Sequence, residues 1–418
     1  MSTEERTKSF LEAAKTGNLE IMIECIQSGV DKEVRYVSFG YNRTALHIAC
    51  MYGQWDIVKY LIETCRVDVE VTDRYGVNAL HYASEAGHLM IVRYLIETCR
   101  VDTNAITERH KTALHFASEF GKLDVIQYLI ETCHLDPEAR DDDGMTALLL
   151  VSKSDVCYLP IVKYLIDTCH VNTNAKDFFG FTALRRACWD GHLEMVQYLI
   201  GKSSFVVRTK EGSTLLHDAC EGGQLEVVQY LIETCHVDVE EGEDGWTILH
   251  IASCNGDVEL VKYLIETYHV NKAAKNEYGD TALHLACRYD DLEVVRYLIE
   301  TCHVYKEAKN NKGQTAYDIA RRSNNRDVIQ YLEHRSTGTK NHSDTTRWTP
   351  LHYASRDGHL DIVQYLIETC HLDQEVKDAN GTTALDLAQS NGHLEIVQYL
   401  MGPTNVDPDD AAATDNKQ

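Results

Sequence analysis

The chain has 418 residues, with 65 acidic against 40 basic side chains and a formal net charge of −25. That balance argues against a surface that neutralises many phosphates or lies on an anionic membrane, because both need a basic face. No stretch approaches the roughly 18 consecutive apolar residues of a membrane helix, and Met1-Ser2-Thr3-Glu4-Glu5-Arg6 has no pattern of a secretory leader.

Residues 1–9 are polar and are expected to fray. Phe10-Leu11-Glu12-Ala13-Ala14 through Leu19-Glu20-Ile21 then reads as a helix pair without the motif that opens the later ones, as suits an N-terminal capping unit at 6–38. From there one pattern recurs. Thr281-Ala282-Leu283-His284 has counterparts starting at Thr44, Asn78, Thr112, Thr146, Thr182, Thr214, Thr247, Thr315, Thr349 and Thr383. The steps, with Thr281 in its place, are 34, 34, 34, 36, 32, 33, 34, 34, 34 and 34 residues. A period this regular means an array in which each unit packs only on its neighbours, so length alone does not imply several domains.

Each unit reads alike. A polar turn with a glycine, such as Arg74-Tyr75-Gly76, supplies a residue free to take positive φ, and a Thr two positions later caps the next helix through its hydroxyl. Helix one is short, with Leu283 and Ala286 on one face. A glycine breaks it and a second helix follows, as in Gly87-His88-Leu89-Met90-Ile91-Val92-Arg93-Tyr94-Leu95-Ile96, where Ile91, Val92, Leu95 and Ile96 form an apolar stripe. About ten residues then lead to the next turn, enough for a hairpin-like finger.

Two places depart from the pattern. Between Ser154 and Pro160 the turn is two residues longer, and the connection at Gly201-Lys202-Ser203-Ser204 is correspondingly shorter, so the stack should continue through a local seam. The polar run at 334–346 is a candidate loosened joint. Because the 34-residue step survives it, residues 1–402 are expected to form one continuous domain, closed by a C-terminal capping unit at 379–402. Residues 403–418, small and acidic, are expected to be disordered.

Thr349-Pro350-Leu351-His352-Tyr353-Ala354 carries the full T-P-L-H-x-A signature, and most other units differ from it by Ala in place of Pro. On these residues the chain resembles the ankyrin-repeat family, over residues 6–402. A tetratricopeptide array shares the 34-residue period but not these residues. With its regular Tyr-Leu-Ile-Glu-Thr-Cys-His units the chain further resembles the long ankyrin arrays of protozoan parasites. The resemblance implies an all-α repeat fold, an ankyrin solenoid of about twelve helix-turn-helix units with projecting β-hairpin fingers. It also implies that the recurrent His47, His81, His115, His217, His250, His284 and His352 are scaffold groups joining the Thr hydroxyl to the loop backbone, and that partners bind on the concave face.

The chemistry-bearing residues fit a scaffold better than a catalyst. Cys65, Cys99, Cys133, Cys169, Cys235, Cys302 and Cys370 share one repeat position, and Cys50, Cys188, Cys220 and Cys287 share another. Stacked equivalents stand roughly 10 Å apart, beyond disulfide reach, so reduced thiols are expected. The same spacing keeps pairs such as Cys133-His134 from converging on a metal ion. No catalytic motif, metal site or cofactor loop is present, and no enzyme activity is expected.

Specificity should lie where the units differ, at the finger tips and the residues closing helix one. The aromatic members there are Tyr41, Tyr52, Tyr75, Phe120, Phe178, Phe179, Phe181, Trp189, Trp246, Tyr278, Tyr289 and Trp348, with Arg43 beside the first of them. Phe178, Phe179, Phe181 and Trp189 belong to one unit, just after the seam. Charges at these positions nearly balance, Arg74, Arg109, Lys153 and Arg288 among the cations and Glu85, Asp143, Glu221 and Asp280 among the anions, so the groove is expected to be mixed and aromatic, suited to a protein partner. The expected function is a cytoplasmic, non-catalytic scaffold or adaptor, with no cofactor, nucleic acid, membrane insertion or small-molecule substrate. The alternative is a structural element embedded in a cytoskeletal or other large assembly.

Overall fold

The computed structural model describes residues 3–36, 41–154, 156–202, 215–239, 245–336, 348–368, 372–378 and 380–401. They belong to two compact units, Met1–Ile329 and Gln330–Gln418. Asp155, Ser203, Ser204, Thr214, Cys370, most of the candidate joint (337–346) and the acidic tail at 403–418 lie outside the described residues.

The larger unit is a stack of helix pairs. Its inner helices include Ala45–Met51, Ala79–Ala86, Ala113–Glu119, Ala147–Ser152, Ala183–Asp190, Leu215–Glu221, Ile248–Cys254, Ala282–Tyr289 and Ala316–Ser323. Each one packs on the next. The small residue after the cap and the alanine four later make this possible: Ala45, Ala49, Ala79 and Ala83 have no exposed surface, so neighbouring backbones approach closely. Outer helices fill the other side. Ile57, Val58 and Leu61 are fully buried and have counterparts in Ile91, Val92 and Leu95, each such side chain contributing about 2 kcal/mol by leaving water.

The outer helices end in a way that the apolar stripe does not announce. In five repeats Tyr-Leu-Ile-Glu/Asp-Thr forms a wide π-helical turn, for example Tyr60–Thr64 and Tyr94–Thr98. The Cys65 N–H bonds the Tyr60 carbonyl at 3.0 Å, five residues back, and Arg66 then takes φ +54°. The same tyrosines knit the outer helices together. Tyr94, Tyr128, Tyr164 and Tyr297 each donate their hydroxyl to a glutamate of the preceding repeat at 2.8–3.0 Å.

Two expectations need correction. Residues 3–9 are not frayed: they are the first turns of the helix Thr3–Thr16. Glu4 and Glu5 complement its positive end, and Arg6 bonds the Ser28 carbonyl of the partner helix at 3.2 Å. The fingers are not generally strand pairs either. Among the described residues only Arg35–Tyr36 and Arg43–Thr44 pair as antiparallel strands. Elsewhere the tip keeps one backbone bond, such as Asp73 N–H to the Val77 carbonyl at 2.9 Å, and a side chain supplies the acceptor for the return bond, as set out below.

The stack passes through the seam without a break. Tyr158 stands at the residue before Leu159–Lys163, Pro160 sits in the first turn where no N–H is needed, and the Tyr158 ring covers Gly121 just as His88 covers Gly53 two repeats earlier. His192 of the next repeat donates to the Ser154 carbonyl at 2.6 Å, closing the gap from the other side.

The smaller unit contains the helices Pro350–Asp357, Leu360–Glu368, Ala384–Ser390 and Leu394–Met401. Leu351, Ala354 and Val363 pack on Ala384, Ala388, Ile396 and Leu400 in one apolar cluster. No helix among the described residues is long and apolar enough to cross a membrane.

Candidate functional site

The recurrent histidines are fully occupied as structural groups. In His47, His81, His115, His250, His284 and His352 the Nδ1 accepts the backbone N–H of the helix cap three residues before, at 3.0–3.2 Å. That fixes the proton on Nε2, which donates to a carbonyl of the next repeat at 2.9–3.2 Å. Burial pushes the imidazoles of His47 and His81 down to about 4, and lowers those of His115, His250 and His284. Both nitrogens of each ring are taken up by the scaffold, and the His47 and His81 rings are neutral at pH 7.

The finger tips are rigid turns. In six repeats an Asp or Asn five residues before the cap folds its side chain back on the tip: Asp73, Asp141, Asp177, Asn276, Asn310 and Asp378 each accept two backbone N–H groups through Oδ1, at 2.7–3.0 Å. Sequence reasoning passed over these residues, although their recurrence five positions ahead of the cap is visible in the repeat. Neighbouring tips are then tied edge to edge. Arg74, Glu108, Asp142, Phe178 and Asn311 donate their N–H groups to Tyr41, Tyr75, Arg109, Asp143 and Tyr278 respectively, at 3.0–3.1 Å.

On this frame the candidate aromatic residues fall into two groups. Tyr41, Tyr52, Tyr75, Phe120, Phe178, Phe179, Trp189, Tyr278 and Tyr289 are exposed, Phe178 at 71% and Phe179 at 73%. Arg43, Phe181, Trp246 and Trp348 are half-buried and serve neighbours within the array. The Arg43 guanidinium lies between the Tyr41 and Tyr82 rings, at 4.4 and 4.7 Å, and bonds the Tyr82 hydroxyl at 2.8 Å; Tyr41 meets Tyr75 edge-on at 5.4 Å. Phe181 is flanked by the Arg185 and Arg186 guanidinium groups, both 4.4 Å from its ring centre, and by the edge of Trp189 at 6.1 Å. Trp246 leans on His250 at 6.2 Å. In the smaller unit Trp348 donates to Asp378 at 2.7 Å and stands under Arg356 at 5.3 Å. The tip Phe178 rests partly on the preceding finger: Gly144, at φ +74°, leaves the space that a side chain would take from the Phe178 ring.

Several charges that look free in sequence are paired and buried. Arg185, which stands where other repeats carry the capping histidine, grips Asp218 of the next repeat with two bonds of 2.7 Å, and the Asp218 carboxylate is 1% exposed. Arg186 bonds Asp177 at 2.6 Å. Asp280, read from sequence as a variable surface charge, is buried and held by Arg288 and Asn310, both at 2.7 Å.

Every cysteine among the described residues is a free thiol. Cys50, Cys188, Cys220 and Cys287 are buried on the inner helices, where desolvation pushes their thiols well above the usual range. His134, His170 and His303, which follow a cysteine at the end of an outer helix, adopt left-handed φ of +53° to +57°. Among the described residues no group of three or more His, Cys, Asp or Glu side chains is placed to hold a metal ion.

Comparison with known proteins agrees with this architecture. The family model for ankyrin repeats (3 copies) matches residues 10–107, 65–141, 92–177, 114–210, 201–276, 268–341 and 334–411. Among curated proteins, the mitochondrial liver isoform of glutaminase from Rattus norvegicus is 40% identical over 68 residues, and that from Mus musculus 37% over 68. Each match covers 16% of this chain and only 11% of the glutaminase, so it speaks for a short shared segment and not for the rest of that protein. The repeated Thr–His cap, the paired helices and a family match running from residue 10 to 411 establish that the chain belongs to the ankyrin-repeat family.

Proposed function

We propose that the chain is a non-catalytic scaffold or adaptor in the cytoplasm, which binds a protein partner on the face formed by its finger tips and inner helices, concave in this family. Ankyrin repeats in general mediate protein–protein interaction, and the exposed Phe178-Phe179 tip carries the narrower reading. Two phenylalanines held in solvent by a tip that Asp177 fixes gain nothing from water, and anchors of this kind dominate interface energy, often at about 2 kcal/mol or more each. Nucleic acid, small molecules and the bilayer are not part of this reading. Treatment of residues 1–402 as one binding array rests on the 34-residue step kept across the candidate joint.

The test is the double variant Phe178→Ala/Phe179→Ala in the full chain. Its helicity and unfolding midpoint should match the parent, while affinity capture of the partner, identified by mass spectrometry with the parent chain as bait, should disappear. Retained capture together with a stability loss of several kcal/mol would assign both rings to packing. Co-sedimentation of parent and variant alike with the polymer fraction of a lysate would instead favour a structural element of a large assembly.

A further inference from the structure

The near balance of charge at the variable positions is not what a partner meets, because the fold uses up part of it. Around the Phe178-Phe179 tip the inner-helix cations are committed: Arg185 is bound twice by Asp218 and Arg186 by Asp177. What remains is different. Asp143 sits on the adjoining tip, its carbonyl accepting the Phe178 N–H at 3.0 Å and its exposed carboxylate making no hydrogen bond or ion pair among the described residues. Trp189, beside Phe181 at 6.1 Å, abuts the Glu221-Gly222 turn through its carbonyl, and Glu221 is exposed there without an ion-pair partner among the described residues. Partial burial of its carboxyl and the nearby Asp218 hold Glu221 above the ordinary glutamate range, against the smaller opposing pull of His217 and Arg185. Lys153, the residue that closes the inner helix Ala147–Ser152, is an exposed cation of the same stretch.

We infer that this stretch of the finger face takes an extended segment carrying a large apolar side chain flanked by arginine or lysine. The inference rests on the finger face being the binding face and adds the charge of what binds. The apolar residue covers Phe178 and Phe179, and the partner's cations meet Asp143 on one side and Glu221 beside Trp189 on the other, the ring face adding a cation–π contact. Phosphorylated or acidic segments are disfavoured, since Arg185 and Arg186, the described arginines beside the tip, are already bound.

The probes are three fluorescein-labelled synthetic peptides with the same two aromatic residues and with Arg/Lys, Glu or Ser at the flanking positions. Binding to the full chain is measured by fluorescence anisotropy at low and at physiological salt. The basic peptide should bind tightest and weaken as salt rises. Asp143→Asn and Glu221→Gln should each weaken it about threefold and together about tenfold, as for partly exposed ion pairs, and Lys153→Gln should strengthen it. Equal or tighter binding of the acidic peptide overturns the inference, as does failure of all three to bind at about millimolar concentration. If the basic and neutral peptides bind equally and Phe178→Ala/Phe179→Ala abolishes both, the charge inference fails while the finger-face reading stands.

Discussion

Asp291 occupies a position where other repeats carry a hydrogen-bond donor, so Asp291→Asn should stabilise the protein at neutral pH. At this place, just before each outer helix, the side chain covers the turn of the preceding repeat. Gln54 Nε2, His192 Nε2 and His393 Nε2 donate to carbonyls there, and Asn325 Nδ2 reaches those of Cys287 and Arg288 at 2.8 and 3.0 Å. Asp291 lies over Gly256 in the same way, but its Oδ2 is buried without a partner. Burial and the adjacent Asp290 raise its carboxyl from 3.8 to about 6. Because the native state holds this proton more tightly than the unfolded chain, stability falls as pH rises from about 4 to 6, and the loss is complete at pH 7. The shift would correspond to about 3 kcal/mol in a fully shielded site, and since Asp291 is only partly buried about 1–2 kcal/mol is the fair expectation. Urea unfolding followed by circular dichroism, with Asp291→Asn and the parent side by side, should show the gain at pH 7.5 and little of it at pH 4. A gain of equal size at both pH values, or none at pH 7.5, would refute the account.

The buried histidines should act in the opposite sense. His47 and His81 stay neutral down to about pH 4 while the unfolded chain takes up protons near 6.5, so acidification through that window destabilises the array by up to about 1.4 kcal/mol per pH unit per residue; urea midpoints at pH 7 and 5 measure it, and an unchanged midpoint would contradict the capping role. Ser118→Ala should stabilise by about 1 kcal/mol, because the Ser118 hydroxyl is fully buried with no hydrogen-bond partner, whereas Ser152→Ala, whose hydroxyl bonds the Leu148 carbonyl at 2.8 Å, should not. Arg185→Ala should cost about 3 kcal/mol in chemical denaturation, since it leaves the Asp218 carboxylate buried and unpaired; Arg185→Ala with Asp218→Ala should recover much of that loss.

The period, the two helices and the capping threonine were legible because they depend on residues within one repeat or on copies of it at a fixed step, while the role of the histidine came with the family resemblance. The wide turn at Tyr60–Thr64 was not, since its side chains also suit an α-helix and only the bond from Cys65 to Tyr60 distinguishes the two. The fingers differ from full strand pairs for a related reason, keeping one backbone bond across the tip, Asp73 N–H to the Val77 carbonyl at 2.9 Å. The return bond from the Val77 N–H goes to the Asp73 carboxylate in place of its carbonyl, and the difference lies in where one oxygen points. Arg185 was hidden in another way: a departure from His at a capping position has no visible meaning until Asp218, 33 residues later, is seen beneath it.

Variability between repeats therefore carries two kinds of information that a sequence mixes. Asp280 and Tyr278 lie two residues apart on one turn and are equally variable, yet Asp280 is sealed by Arg288 and Asn310 while Tyr278 is 51% exposed. Phe181 and Phe179 divide in the same way, one enclosed by two guanidinium groups and the other in solvent. In a stack, a non-repeating residue first has the chance to pair with its neighbours in the next unit, and only those left over face a partner. Among the described residues near the seam the remainder, Phe178, Phe179, Asp143 and Glu221 with the single cation Lys153, is apolar and mainly acidic although the full set of variable residues is nearly balanced in charge. Its composition follows from which arginines the buried aspartates have already bound, so exchanging Asp218 for a neutral residue should alter the charge a partner meets without touching any residue it contacts.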